Sequence, residues 1–557
     1  MTLLLTGCFY FFSIIRLPHG KTSFTVRVFN KPGSHAYKNT GEARVKSETF
    51  ARGATILFLT GLGNRALGFL HRILIIHLFG AEVMGLYEMV FPFYSLILVI
   101  STAGLPVALA KFVAEKTAVG QYAQARGVFR ATAALLGLNG LISAIGVGLT
   151  SPLLAQHVLP DPRVYPSLLM TLPALLVVPT CSGFRALFQG IGLISRPALS
   201  QSIEQVVRIT SGLWLASRLR GQGSELAATG LTAGMALGEI AGLVYLLICY
   251  WRLKPPLTTA AYPIASDRML IGEEFWRLGL PITVTRILAA LTLTLEAILI
   301  PQRLLAAGYP MSQATQLYGQ FSGISMALLY LPAVFTFSLA STMVPAVAEA
   351  FARRQPTLAT HRIRDALRLT AVAGTPFTVA YLLFPVPITH TIFASPEAGE
   401  TLKILASAGP LIYLQQTTNG VLHGLGRADL ALRNSTFSTA AALAGIYWLT
   451  GLPAYGIKGT AFSVAASGAL AGYLNLRDVA RLTGAAVPVR SVLAMTVSAL
   501  VMAATTVRLY SALEGRVGPL LALGSTLTVG LVVYLSSCLL TGALSRRDLD
   551  RLWGLPR

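Results

Sequence analysis

Long apolar runs separated by short polar or glycine- and proline-rich breaks dominate the chain from about residue 53 to residue 541. A bilayer-spanning helix needs roughly 20 predominantly apolar residues. On that criterion the runs predict fourteen helices at 53–79, 86–110, 128–150, 167–189, 198–217, 227–251, 276–301, 317–348, 367–390, 401–423, 429–450, 456–476, 491–511 and 518–541. The run 198–217 carries Glu204 and Arg208, and 317–348 is long for one span. Loops are short, so no soluble catalytic domain fits on either side. The expected fold class is an all-α polytopic membrane protein.

Composition agrees. Of 557 residues, 54% are hydrophobic and only 12% charged, against roughly 25% charged in soluble domains. Mean hydropathy is +0.65. The net charge of +22 does not point to nucleic acid, because the basic residues stand singly or in small groups between apolar runs. With both ends of the chain on the cytoplasmic side, Lys and Arg from residue 45 onward divide 26 to 8 between inside and outside loops, as the positive-inside rule requires. A multi-pass cell-membrane protein with both termini cytoplasmic is expected.

Residues 1–45 differ: they are basic, polar and rich in turn formers. The Leu5-Thr-Gly-Cys8 run lacks the basic and apolar segments of a lipoprotein signal. Gly20-Lys21-Thr22 has Ile15 where a P-loop needs glycine. The expectation is a disordered extension, with the mature chain starting near Val45. Cys8, Cys181, Cys249 and Cys538 are far apart and form no metal-ligand spacing. No cofactor is expected, and the chain has no ATP-binding motif.

Two segments recur. Gly104-Leu-Pro106 with Lys111 and Glu115 resembles Met343-Val-Pro345 with Glu349, and Phe188-Gln-Gly190 resembles Leu422-His-Gly424. Spacings of 239 and 234 residues correspond to six helices, an even number, so the repeats share one orientation. The expected organisation is a first lobe over 46–260, a second lobe over 261–485, and two further helices with a tail over 486–557. Such lobes suit alternating access to cargo held between them.

Candidate chemistry lies in the charges within spans. An Arg at the bilayer centre costs on the order of 2.5–3.5 kcal/mol on insertion scales, so it faces protein or an aqueous cavity. Arg65 falls near the middle of span one and Arg72 seven residues later on the same face. Arg65 is expected to line the cavity. Arg72 is either a second cavity cation or a side chain that snorkels outward. Arg286 occupies the corresponding helix of the second lobe, placing positive charge on the opposite wall. Glu296, ten residues along, is a proton or cation site or an arginine's partner. Glu204 and Arg208 form an i,i+4 pair, structural or coupling, and Glu239 is equally open. Gln189 and Asn419 could hydrogen-bond a sugar.

Together Gly63-Asn-Arg65-Ala-Leu-Gly-Phe69, Gly80-Ala-Glu-Val-Met-Gly85-Leu-Tyr87, Gly104-Leu-Pro106-Val-Ala, Phe188-Gln-Gly190 and Glu204-Gln-Val-Val-Arg208-Ile resemble the stage V sporulation protein B and polysaccharide-export branch of the multidrug/oligosaccharidyl-lipid/polysaccharide superfamily. The resemblance runs from about residue 46 to 545. It implies a flippase for undecaprenyl-pyrophosphate-linked saccharides, a peptidoglycan precursor for spore cortex or cell wall; a monomer is expected, with wall-synthesis enzymes as candidate partners. Related lipid II flippases have an arginine matching Arg65 and a second basic residue six positions later. Here that position is His71, with Arg72 adjacent, and Leu98-Val-Ile-Ser-Thr-Ala103 holds no counterpart of a further basic residue. The rival readings are a cation-coupled drug antiporter of the same superfamily and a membrane glycosyltransferase or polymerase. The latter would have only Asp161, Glu397 and Glu400 as outer acids.

Overall fold

The computed structural model describes residues 50–253 and 273–544. The extension, most of the loop between the lobes and the tail beyond residue 544 lie outside the described residues. What is described is helical throughout, and fourteen rods follow the predicted spans. They are α1 (Phe50–Phe79), α2 (Ala81–Thr102, then Leu105–Ala118), α3 (Tyr122–Leu153), α4 (Leu172–Gly190), α5 (Ser195–Leu219), α6 (Ser224–Leu253) and α7 (Glu273–Ala306). Next come α8 (Met311–Gln320 through Met326–Leu329, then Ala333–Ala352), α9 (Pro356–Leu383), α10 (Ala398–Ser407, then Gly409–Gly424), α11 (Ala428–Gly445), α12 (Gly456–Thr483), α13 (Val489–Leu513) and α14 (Pro519–Thr541). Leu500, Leu520 and Leu540 on the last two helices are exposed, the surface a lipid-facing helix presents.

Nine described helices are long and apolar enough to cross a membrane by composition alone. Helices α1, α5, α10, α11 and α12 are not among them. These five carry Arg65, Glu204, Asn419, Asn434 and Asn475 respectively. A spanning helix keeps such groups only where neighbouring helices cover them.

The predicted run 86–110 breaks within α2. Ala103 and Gly104 take left-handed backbone (φ 44° and 67°) and Pro106 restarts the helix in its first turn. Left-handed backbone costs a non-glycine residue roughly 1–2 kcal/mol, so tertiary packing holds Ala103 there. The long run 317–348 also divides: α8 widens into a π-helical turn over Phe321–Ser325 and breaks before Ala333, without any left-handed residue.

The duplication has a structural counterpart. A Cβ on Gly190 would lie 2.7 Å from Val113 Cβ and 2.8 Å from the Ala110 carbonyl oxygen. On Gly424 it would lie 3.0 Å from Val347 Cβ and 2.9 Å from the Val344 carbonyl oxygen. All three positions recur at a spacing of 234 residues, so the lower halves of α2 and α8 dock on α4 and α10 in the same way. This register sets Pro106 opposite Ala340. The sequence match of Pro106 with Pro345 is therefore displaced by five residues, because a shared proline in an apolar helix marks no particular contact.

The lobes are joined at the Gly80 end, which the charge pattern assigns to the outside. Ser312 Oγ donates to Glu82 (2.6 Å), Thr315 Oγ1 donates to Asp161 (2.7 Å), and Arg163 bridges Glu82 and Asp161 at 2.7 Å each. Those carboxylates, Asp161 first, push the Arg163 pKa further up, so it stays charged at any accessible pH. Glycines bring the backbones together below this: a Cβ on Gly85 would lie 2.1 Å from the Thr315 carbonyl oxygen, and one on Gly319 would lie 2.0 Å from that of Ala81. Asp161 is fully buried, so Asp161→Ala would strand Thr315 Oγ1 and leave Arg163 with Glu82 alone. Leaving one buried hydrogen-bonding group unsatisfied costs roughly 1–3 kcal/mol. Thermal unfolding of the detergent-purified protein should show a lowered midpoint.

Candidate functional site

Arg65 stands fifteen residues into the 30-residue α1, roughly 22 Å along it at 1.5 Å per residue, the middle of a membrane-length helix. Its guanidinium carbon lies 4.9 Å from the centroid of the Phe337 ring on α8, so it faces the other lobe and not lipid. Such a cation–π contact is worth about 2 kcal/mol when desolvated. Arg286 is half-buried, thirteen residues into α7. Each arginine is thus near the midpoint of the first helix of its lobe.

Arg72 does not snorkel. Its Nη2 is 2.9 Å from Glu88 Oε1 on α2, and its Nη1 donates to the Ser322 carbonyl in the π-turn of α8 at 3.0 Å. Ser322 Oγ in turn donates to Glu88 Oε2 at 3.0 Å. The group therefore sits between the lobes, beneath the outer seal. Glu88 carries no mark in the sequence that separates it from Glu82 six residues earlier, and its role emerges only in three dimensions. His71 is buried in the first lobe, edge-on to Tyr87 at 6.5 Å between centroids.

Glu296 makes no ion pair or hydrogen bond among the described residues, so the arginine-partner alternative is not what the fold builds. It is half-buried on α7, within electrostatic reach of Tyr318 and Tyr330. Gln189 is exposed at the end of α4.

Glu204, Arg208 and Glu239 come together, and Arg185 joins them. Arg208 Nη2 contacts Glu204 Oε1 and lies 2.9 Å from Glu239 Oε1, while Arg185 Nη2 is 2.7 Å from Glu204 Oε2. Glycines make this possible: Gly230, Gly234 and Gly238 let the α6 backbone close on α5, where any Cβ would fall 2.2–2.6 Å from α5 atoms. Arg185 is absent from the sequence candidates because it stands near the end of its run. One signal could have found it: at the 234-residue spacing it matches Asn419.

The second lobe fills the corresponding place with amides. Asn475 Nδ2 donates to Asn419 Oδ1 (2.8 Å), Asn434 Nδ2 donates to Asn475 Oδ1 (3.0 Å), and Asp478 accepts from Asn434 and Arg433 (2.8 and 2.9 Å). Asn419 is thus bound inside its own lobe. The acids of the glycosyltransferase reading are also engaged structurally: Asp161 in the outer seal, Glu397 with Gln320 and Ser395, and Glu400 with Lys458 at 2.5 Å.

Two pseudo-equivalent six-helix lobes, joined at the Gly80 end and each with an arginine near the midpoint of its first helix, make up the fold of a membrane transporter. Residues 50–351 match the polysaccharide biosynthesis protein family and 322–448 the MatE family. The chain belongs to the polysaccharide biosynthesis family, in the stage V sporulation protein B branch of the MOP superfamily flippases. It is 30% identical over 436 residues to stage V sporulation protein B of Bacillus subtilis (strain 168), covering 78% of this chain and 84% of that relative. It is 25% identical over 414 residues to the lipid II flippase MurJ of the same strain, covering 69% and 74%. A solved lipid II flippase MurJ in an inward closed conformation superposes with a TM-score of 0.67 at 16% identity, covering 89% of this chain and 100% of that one.

Proposed function

We propose that this protein moves a lipid-linked, pyrophosphate-bearing saccharide from the cytoplasmic to the outer leaflet by alternating access, in peptidoglycan or polysaccharide assembly. The observation that carries the reading is Arg65, a permanent cation at mid-membrane on the face of α1 turned toward the other lobe. A pyrophosphate is the group such a cation binds best, through short charge-assisted hydrogen bonds. Arg286 supplies charge from the second lobe. The lipid tail stays in the bilayer, beside α13 and α14. The similarity to stage V sporulation protein B and to a lipid II flippase supports the cargo class, and both termini lie in the cytoplasm on this reading. The resting state is one in which the outer end is sealed and cargo enters from the cytoplasm.

The match to the MatE family over 322–448 favours one rival, export of a cationic drug. An arginine facing the cargo path repels such a cargo. The two are separated in proteoliposomes by following leaflet accessibility of an undecaprenyl-pyrophosphate-linked saccharide beside efflux of a lipophilic cation. Translocation of the first without the second is expected, and the reverse result overturns the proposal.

A further inference from the structure

We infer that Glu204 and Glu239 form a proton-binding carboxylate pair inside the first lobe, which takes up and releases one proton as the lobes cycle. The geometry is unequal. Glu204 has an arginine on each oxygen: Arg208 on Oε1 and Arg185 on Oε2. Glu239 has only Oε1 on the same Nη2 of Arg208, at 2.9 Å, and its Oε2 is buried with no hydrogen-bond partner. Two carboxylates drawn to one nitrogen repel each other when both are ionised, and a shared site of this kind favours holding one proton between them. That proton belongs on Glu239, the acid with less cationic compensation. It turns an orphaned buried acceptor into a donor directed at its neighbour.

The surrounding groups leave that assignment standing. From α4, Arg185 and the buried Cys181 face the pair; from α5, Arg208; from α2, Tyr94; and beyond Arg208 lie Tyr87 and Glu88 of α2 with His71 and Arg72 of α1. With both acids ionised, the two arginines at the pair are balanced, and one proton leaves a net positive charge in the lobe. The second lobe joins the equivalent helices through the amides of Asn419, Asn434 and Asn475, with one carboxylate, Asp478, on one arginine, Arg433. A buried ion-pair cluster is weak evidence for stability, so two acids on one arginine nitrogen in the first lobe are better explained by what they bind. The pair also adjoins the cargo path. Gln205, next to Glu204, reaches α1, its Nε2 3.7 Å from where a Cβ on Gly68 would stand, three residues from Arg65.

Proton binding is independent of the translocation reading, whereas the coupling to lobe cycling rests on it. The first test is infrared difference spectroscopy of the purified full-length protein across a pH titration. Wild type should show a titrating carboxylic C=O band that shifts on deuteration. Glu239→Gln should lose it, Glu239→Asp should keep it at a shifted frequency, and Glu204→Gln should move its midpoint by about one pH unit or more. No titrating band in wild type, or an undiminished band in Glu239→Gln, overturns the site. Should Glu239→Gln not fold, an Asp variant whose band is indistinguishable from wild type overturns it as well. The second test imposes a pH gradient on proteoliposomes. The wild-type rate should change at least about threefold, and the gradient-dependent part should vanish in Glu239→Gln. A titrating band with wild-type translocation indifferent to the gradient overturns the coupling. A titrating band with no translocation of the saccharide under any condition instead indicts the cargo reading.

Discussion

Arg65→Ala should reduce translocation of a pyrophosphate-linked saccharide about 100-fold at sub-saturating cargo, with the protein still folded. Removing one charge from a desolvated, charge-assisted contact costs roughly 2–5 kcal/mol, and about 2.8 kcal/mol corresponds to 100-fold. The folded state also loses the contacts of the guanidinium. Its stacking on Phe337 alone is worth about 2 kcal/mol when desolvated. Arg65→Lys keeps the charge but not the planar fork that grips phosphate oxygens in pairs, so it should recover only part of the rate. Leaflet accessibility in proteoliposomes, beside thermal unfolding, separates the two effects. Wild-type rates in Arg65→Ala would remove this arginine from the cargo path.

Gly319→Val should hold the outer end apart and slow translocation more than about tenfold. Its new Cβ would meet the Ala81 carbonyl oxygen at 2.0 Å and the Gly85 nitrogen at 2.7 Å. Both are backbone atoms, so no side chain can rotate out of the way, and overpacking of this kind is relieved only by parting α2 from α8. A Glu82→Cys/Ser312→Cys pair reports the seal, since the native side chains meet there at 2.6 Å. A short bifunctional maleimide should join this pair in an otherwise wild-type background and fail to do so with Gly319→Val. Gly524→Ala on α14 is the control, as its Cβ would meet nothing within 4 Å. Efficient cross-linking in Gly319→Val would show that this glycine contact does not govern closure.

The existence of the spans, and most of their limits, was legible because a bilayer leaves few alternatives: apolar length and loop charge both report on it. Arg65 was legible for the same reason, an uncompensated cost at mid-membrane. Partners were not. Arg72 meets Glu88 across a helix–helix contact and Ser322 across the lobe boundary, and no local spacing encodes either. Arg185 sits close enough to a run's end to pass for a loop residue. The i,i+4 pair Glu204–Arg208 was visible, yet its meaning depended on Glu239 and Arg185, which α6 and α4 bring in from outside the motif. Within helices, breaks were half legible. Gly104-Leu-Pro106 announces one, but the left-handed Ala103 before it does not.

The paired glycine docking at Gly190 and Gly424 has a mechanical consequence. Each fastens the lower half of α2 or α8 to its own lobe, while the upper halves of the same two helices are clasped to each other at Gly85 and Gly319. On the alternating-access proposal, one half of each rod travels with its lobe while the other is released from its opposite number. The left-handed turn at Ala103–Gly104 and the interruption between Leu329 and Ala333 are where that relative rotation can be absorbed. Helices α2 and α8 thereby become a pair of cranks, their elbows set between clasp and anchor.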